Sequence, residues 1–256
     1  MTIDACTEML RQHDPDRFGA VLVAQPEDRP ALVTLYALNL EIARAPFQSA
    51  EPMLAEMRLQ WWVDRLSEMG QGTAPPLHDV LTPLWEAWGQ DAGTLVDLAE
   101  ARRRDCAREP FHDPAEVVAY VDATAGALTW AAAHRCGATE ATQPIVAHQA
   151  RGMGIAAWLR ALPQLQAMAL GMDRPDPEHT KALTAHAREG LRLASRQHRK
   201  LPARAAAALY PGPRVPRLLA EIASGQIDPY EATVPLTPFQ RRASLARLAM
   251  TGRWWR

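Results

Sequence analysis

The chain has 256 residues, 48% hydrophobic and 22% charged, which is ordinary for a globular protein and long enough to bury one sizeable core. Its net charge of −1 excludes a nucleic-acid-binding footprint over the whole molecule, and no apolar run approaches the roughly 20 residues of a membrane span. Cys6, Cys106 and Cys136 are far apart and odd in number, which predicts reduced thiols in a reducing compartment. The start, MTIDACTEML, has early acids and no apolar stretch, so neither a signal peptide nor a transit peptide is expected. These features place the protein in the cytoplasm, and a basic complement in which only Lys181 and Lys200 are lysines suggests a bacterial coding style.

Helices are expected at 4–13, 28–45, 52–69, 76–88, 91–109, 114–136, 144–170, 177–200, 202–209, 216–224 and 238–250. Prolines mark several starts, because the first turn needs no proline N–H: Asp113-Pro114-Ala115-Glu116 reads as a cap with a capping-box acid, and Asp176-Pro177 and Thr237-Pro238 repeat the pattern. The segment 52–69 is apolar on two sides, through Leu54, Met57 and Trp61 and through Leu59, Trp62 and Leu66, which predicts central burial. Pro163 should break or kink the seventh helix. No period-two alternation, hairpin turn or repeat is present, so the fold class is all-α. Residues 1–236 are read as the helical domain and 237–256 as a basic amphipathic C-terminal helix and tail.

The chain has no phosphate-cradling glycine loop, no His-Glu-x-x-His and no serine elbow, and its histidines are scattered. Asp4/Glu8, Asp64/Glu68 and Asp105/Glu109 are each four apart, a spacing that can present two carboxylates to a hard cation. Arginines beside them favour solvated, salt-bridged faces instead.

The segments Arg29-Pro30-Ala31-Leu32 to Tyr36-Ala37-Leu38-Asn39-Leu40-Glu41-Ile42-Ala43, Met57-Arg58-Leu59-Gln60-Trp61-Trp62, Tyr120 to Ala125-Gly126, and Arg199-Lys200-Leu201-Pro202 occur in this order. In that order and spacing they resemble the squalene/phytoene synthase family, from about residue 17 to about residue 210. The resemblance implies a helical isoprenoid-synthase-type fold. It also implies two facing helices with Asp-x-x-x-Asp motifs, whose carboxylates hold magnesium ions against the diphosphates of two prenyl substrates joined head to head.

This sequence departs from the family at those motifs. The first motif's aspartates would fall at Ala43, Arg44 and Phe47, with Pro46 ending the helix, and the second motif's at Ala161 and Leu165, with Pro163 between them. None of the five carries a carboxylate. The segments around Asn39–Ala43, Met57–Trp62 and Gly154–Pro163 are similar to a non-synthase branch that includes the NADH dehydrogenase (complex I) assembly factor 6 and its bacterial relatives. That similarity implies a non-catalytic accessory role in respiratory complex assembly, with a subunit or assembly protein of the complex as partner and no cofactor. The other readings are a prenyl diphosphate transferase, which would need magnesium, and a protein that holds an isoprenoid lipid without reaction.

Asn39, Glu41, Arg58, Gln60, Trp62 and Arg160 are candidates to line a retained cleft, unless Arg58 and Arg160 merely pair with Glu41 or other acids. The tail PFQRRASLARLAMTGRWWR contains Arg241, Arg242, Arg247, Arg253 and Arg256 and no acid. With Trp254 and Trp255 at its end it suits an anionic membrane surface, on the inner face of the inner membrane, or a partner subunit. A helix docked on the core is the alternative.

Overall fold

Capping residues set most of the element boundaries. The computed structural model describes residues 3–231 and 236–255; among them every regular element is helical, and the one extended contact is an isolated parallel bridge between Phe111 and Met172. The chain divides into two compact units, Met1–Ala107 and Arg108–Arg256.

The first unit contains α1 (Ile3–His13), α2 (Pro15–Val23), α3 (Arg29–Arg44), α4 (Pro52–Gly70), α5 (Leu81–Trp88), α6 (Val96–Glu100) and α7 (Arg103–Ala107). Sequence reasoning missed α2, although Asp14 accepts the Arg17 N–H at 3.0 Å and Pro15 occupies the first turn. The Arg29 guanidinium donates to the carbonyls of Leu22 and Ala24, which satisfies groups left over at the end of α2. Leu32, Leu35, Leu38 and Ile42 of α3 are buried with Leu59, Leu66 and Met69 of α4 and Leu81 and Leu84 of α5. Each such side chain contributes about 1.5–3 kcal/mol on leaving water. Trp88 ties α5 to α3 by donating its indole N–H to the Ala31 carbonyl at 3.1 Å. The predicted helix at 91–109 is instead a 3-10 stretch, Gly89–Leu95, followed by α6 and α7. Gly89 there adopts a left-handed φ of 53°, which stops α5. The start predicted at 76 moves to 81, past Pro75 and Pro76.

The second unit contains α8 (Pro114–Val121), a π-helical turn (Asp122–Gly126), α9 (Ala127–Arg135), α10 (Gln143–Ala167), α11 (Pro177–Arg196), α12 (Val215–Ala223) and α13 (Pro238–Thr251). The predicted helix at 202–209 is only a 3-10 turn at Ala203–Ala206. Pro163 does not break α10, which continues to Ala167. α10 is the central element, and it gets close to its neighbours by lacking side chains at the contacts. A Cβ on Gly154 would stand 2.5 Å from Val121 Cγ1 and 2.8 Å from Ala125 Cβ; a Cβ on Gly190 of α11 would stand 2.6 Å from the His148 carbonyl oxygen. Around α10 lies a core of Phe111, Val117, Ile155, Trp158, Leu159, Leu162, Leu183 and Leu219.

The three cysteines are buried free thiols. Burial pushes the Cys6 thiol up to about 12, which disfavours the thiolate. No helix among the described residues is long and apolar enough to cross a membrane.

Candidate functional site

Helical periodicity sorts the residues at the end of α3. Leu35, Leu38 and Ile42 take the core face, which leaves Asn39 and Ala43 on one half-buried flank and Glu41 and Arg44 on another. The Arg44 guanidinium reaches Glu41 only loosely, at 3.9 Å. Pro46 cannot extend α3, so the chain turns through a 3-10 segment, Ala45–Phe47, and Phe47 emerges into solvent.

On α10, Ala161 and Leu165 share a half-buried flank four residues apart, next to Arg160. Leu165 packs against the apolar core of the second unit. An isobutyl group therefore rests on hydrocarbon where the family resemblance places a metal-binding carboxylate.

The proposed cleft residues of α4 divide differently from expectation. Leu59, Trp62, Val63 and Leu66 form its buried face, but Met53, Leu54, Met57 and Trp61 are exposed, so α4 is not buried on two sides. Arg58, expected to line a retained cleft on a buried helix, is exposed as well. Trp62 is used in packing: it meets Trp61 edge-on at 4.9 Å and the His78 ring at 5.3 Å. Gln60 donates to Asp64 at 2.7 Å and accepts from the Arg103 guanidinium at 2.6 Å. Arg103 also holds Glu56 and Glu100, and its hydrogen bonds push the Glu100 carboxyl below its usual range. Gln60 thus belongs to a surface network that fastens α4 to α7.

The acid pairs are held by arginine or by geometry. Glu8 is engaged by Arg11 and Gln12, Glu68 by Arg65 at 2.6 Å, and Asp105 by Arg102 at 3.2 Å. Glu109 lies beyond the end of α7, so it shares no helix face with Asp105. Among the described residues, no three His, Cys, Asp or Glu side chains form a group that could hold a metal ion. The five motif positions offer no oxygen ligand, and a hard divalent cation takes six or more oxygens, so these residues do not fit a magnesium site.

Two features were not anticipated from sequence. Arg151 of α10 makes a two-pronged bond to Asp122 at the π-helical turn, at 2.9 and 2.6 Å, which raises the Arg151 pKa. Nothing in local spacing signals that pair, because its members lie on separate helices.

The second feature is how the tail docks. Thr237 and Gln240 form a reciprocal capping box at the start of α13, Ser244 accepts the Tyr210 hydroxyl at 2.7 Å, and Leu248 is buried. Gly252 reverses the chain at a φ of 62°. Trp254 is then buried, and Trp255 stacks on the His198 ring at 3.9 Å. Both tryptophans help to anchor the tail, and the burial of Trp254 corrects its reading as a membrane-facing group, while Trp255 is half-buried against His198. Arg241 is half-buried and Arg242, Arg247 and Arg253 are exposed, while Arg256 lies outside the described residues.

Residues 10–171 match the family model described as squalene/phytoene synthase. The NADH dehydrogenase (ubiquinone) complex I, assembly factor 6, of Homo sapiens is 24% identical over 162 residues, covering 62% of this chain and 48% of the relative. The Mus musculus protein of the same name is 25% identical over the same length. The chain thus spans about half the length of the curated relatives it matches. A dehydrosqualene synthase crystal structure, determined in complex with ligand, superposes with a TM-score of 0.75 over 97% of this chain and 95% of that one. At 11% identity, that likeness concerns the fold.

Proposed function

The chain belongs to the squalene/phytoene synthase family, and we propose that it is a non-catalytic member that assists assembly of the respiratory NADH dehydrogenase, complex I. The observation that carries the non-catalytic half is the replacement of both carboxylate motifs by Ala43, Arg44, Phe47, Ala161 and Leu165. Prenyl diphosphate chemistry must neutralise a departing diphosphate, and these side chains supply no ligands for the cations that do so. The assembly half is supported by relatives named for that role, matched over 162 residues.

In this reading the helical fold is a scaffold, and the partner is a subunit or assembly protein of the complex, met from the cytoplasmic side. Deletion of the gene in its source organism tests the role. Assembled complex I and its NADH oxidation should fall and return on complementation with the intact gene. Normal complex I in the deletion strain would contradict the proposal.

A further inference from the structure

Seen down its axis, α13 has two unlike faces. Leu248 and Ser244 point to the second unit, where Leu248 is buried and Ser244 is bonded to Tyr210. On the opposite side, Phe239, Ala243, Ala246 and Met250 follow one another at spacings of four, three and four, and all are exposed. Phe239 and Met250, at the two ends of this strip, are each 79% exposed. The strip runs roughly 16 Å at the helical rise per residue. Arg242 lies along one edge of it and Arg247 along the other, both exposed.

The charge along α13 itself has one sign. No Asp or Glu follows Glu231 in the sequence. A second stretch, residues 190–220, has no acid of its own and carries Arg196, Arg199, Lys200 and Arg204, while its Arg192 pairs with Glu189 and its Arg214 and Arg217 with Glu221. The His198–Trp255 stack and the Tyr210–Ser244 hydrogen bond hold this stretch against the tail. A molecule with a net charge of −1 thus carries, in α13, a helix whose charged side chains are all arginines.

We propose that this outward face of α13 is an interfacial surface that lies on an anionic phospholipid bilayer. Phe239 and Met250 would enter the boundary between headgroups and acyl chains, and Arg242 and Arg247 would sit at headgroup level on either side. An apolar strip along the middle with arginines at its edges is the order a bilayer surface requires. A phosphate backbone favours the reverse, with cations central, which makes a nucleic acid the poorer fit. The tail tryptophans serve this surface indirectly, by fixing the helix so that the strip faces out.

The test is co-sedimentation of the full-length protein with vesicles of phosphatidylcholine alone or mixed with phosphatidylglycerol, at low and high salt. Binding should require the anionic lipid and weaken with salt. Arg242→Glu and Arg247→Glu should each lower the partition coefficient about fivefold or more. Phe239→Ser with Met250→Ser should lower it roughly tenfold. All four positions are solvent-facing, so the unfolding midpoint of each variant should match the parent's and separates lost binding from lost fold. Equal binding to neutral and anionic vesicles, or no binding, would overturn the proposal. So would arginine-sensitive, serine-insensitive binding reproduced on duplex DNA, which would mark a general polyanion surface. The result is independent of the assembly role: normal complex I in a deletion strain would leave vesicle binding in place, and failed vesicle binding would leave the complex I result in place.

Discussion

The C-terminal ends of α3 and α10 both lack the carboxylates of the family's motifs, yet Phe47 and Leu165 are embedded differently. At the end of α3, Phe47 is exposed after Pro46, and Arg44 lies 3.9 Å from Glu41 in a weak, partly solvated pair. At α10 Leu165 rests on the core, in a helix that touches its neighbours through its own Gly152 and Gly154 and through Gly190 of α11. A carboxylate at Phe47 would meet water, whereas at Leu165 it would be set against hydrocarbon. In the first region Phe47 stands at the surface, and in the second Leu165 is part of the packing.

The largest expected effect comes from the packing of α10, the helix that carries the second region, against α11. A methyl group on Gly190 would stand 2.6 Å from a backbone carbonyl, which no rotamer change can relieve. Gly190→Ala should cost roughly 2–3 kcal/mol, read as a lower urea midpoint at constant m. A cost near zero would mean that α10 and α11 have freedom to separate.

Next is the direct comparison. Leu165→Asp should cost about 2 kcal/mol, because a half-buried carboxylate replaces a packed leucine. Phe47→Asp should change stability by no more than about 0.5 kcal/mol. Equal costs at the two positions would erase the difference between the regions.

A smaller effect belongs to the bond between α10 and the π-helical turn. Arg151 and Asp122 are 34% and 36% exposed, so solvent screens the pair, and Arg151→Ala should cost about 1 kcal/mol by chemical denaturation.

The smallest belongs to the exposed face of α1 and serves as a baseline. Hydrogen bonds from Arg11 and Gln12 hold the exposed Glu8 carboxyl at about 2, below its unfolded value of 4.5. A depressed folded pKa stabilises above the unfolded pKa and loses that contribution as pH falls toward the folded one. Any difference in melting temperature between the parent and Glu8→Gln should therefore be present near neutrality and shrink between pH 4.5 and 2.

Helix starts were legible where a cap and a proline coincide, as at Asp113-Pro114, Asp176-Pro177 and Thr237-Pro238. Asp14-Pro15 carried the same signal, but the nine-residue α2 gives too short an apolar period to stand out. Gly89 and the 3-10 stretch after it were hidden because a 3-10 turn and an α-helix share apolar spacing over so few residues. The altered motif positions were legible because each lies at a countable place on a helix. The roles of Gln60, Trp62 and Trp254 were not, since the Arg103 network, the His78 contact and the docking of the tail bring together residues far apart in sequence. Helical arithmetic alone could have found the strip from Phe239 to Met250, once Leu248 was recognised as the docked side.

The central claim is that the synthase fold persists here without synthase chemistry. Incubating the purified protein with magnesium and farnesyl or geranylgeranyl diphosphate, and measuring diphosphate release together with hydrocarbon product, tests it most directly. The account predicts neither, even over long incubation and with protein in large amount. Diphosphate release matched by a head-to-head condensation product would contradict it.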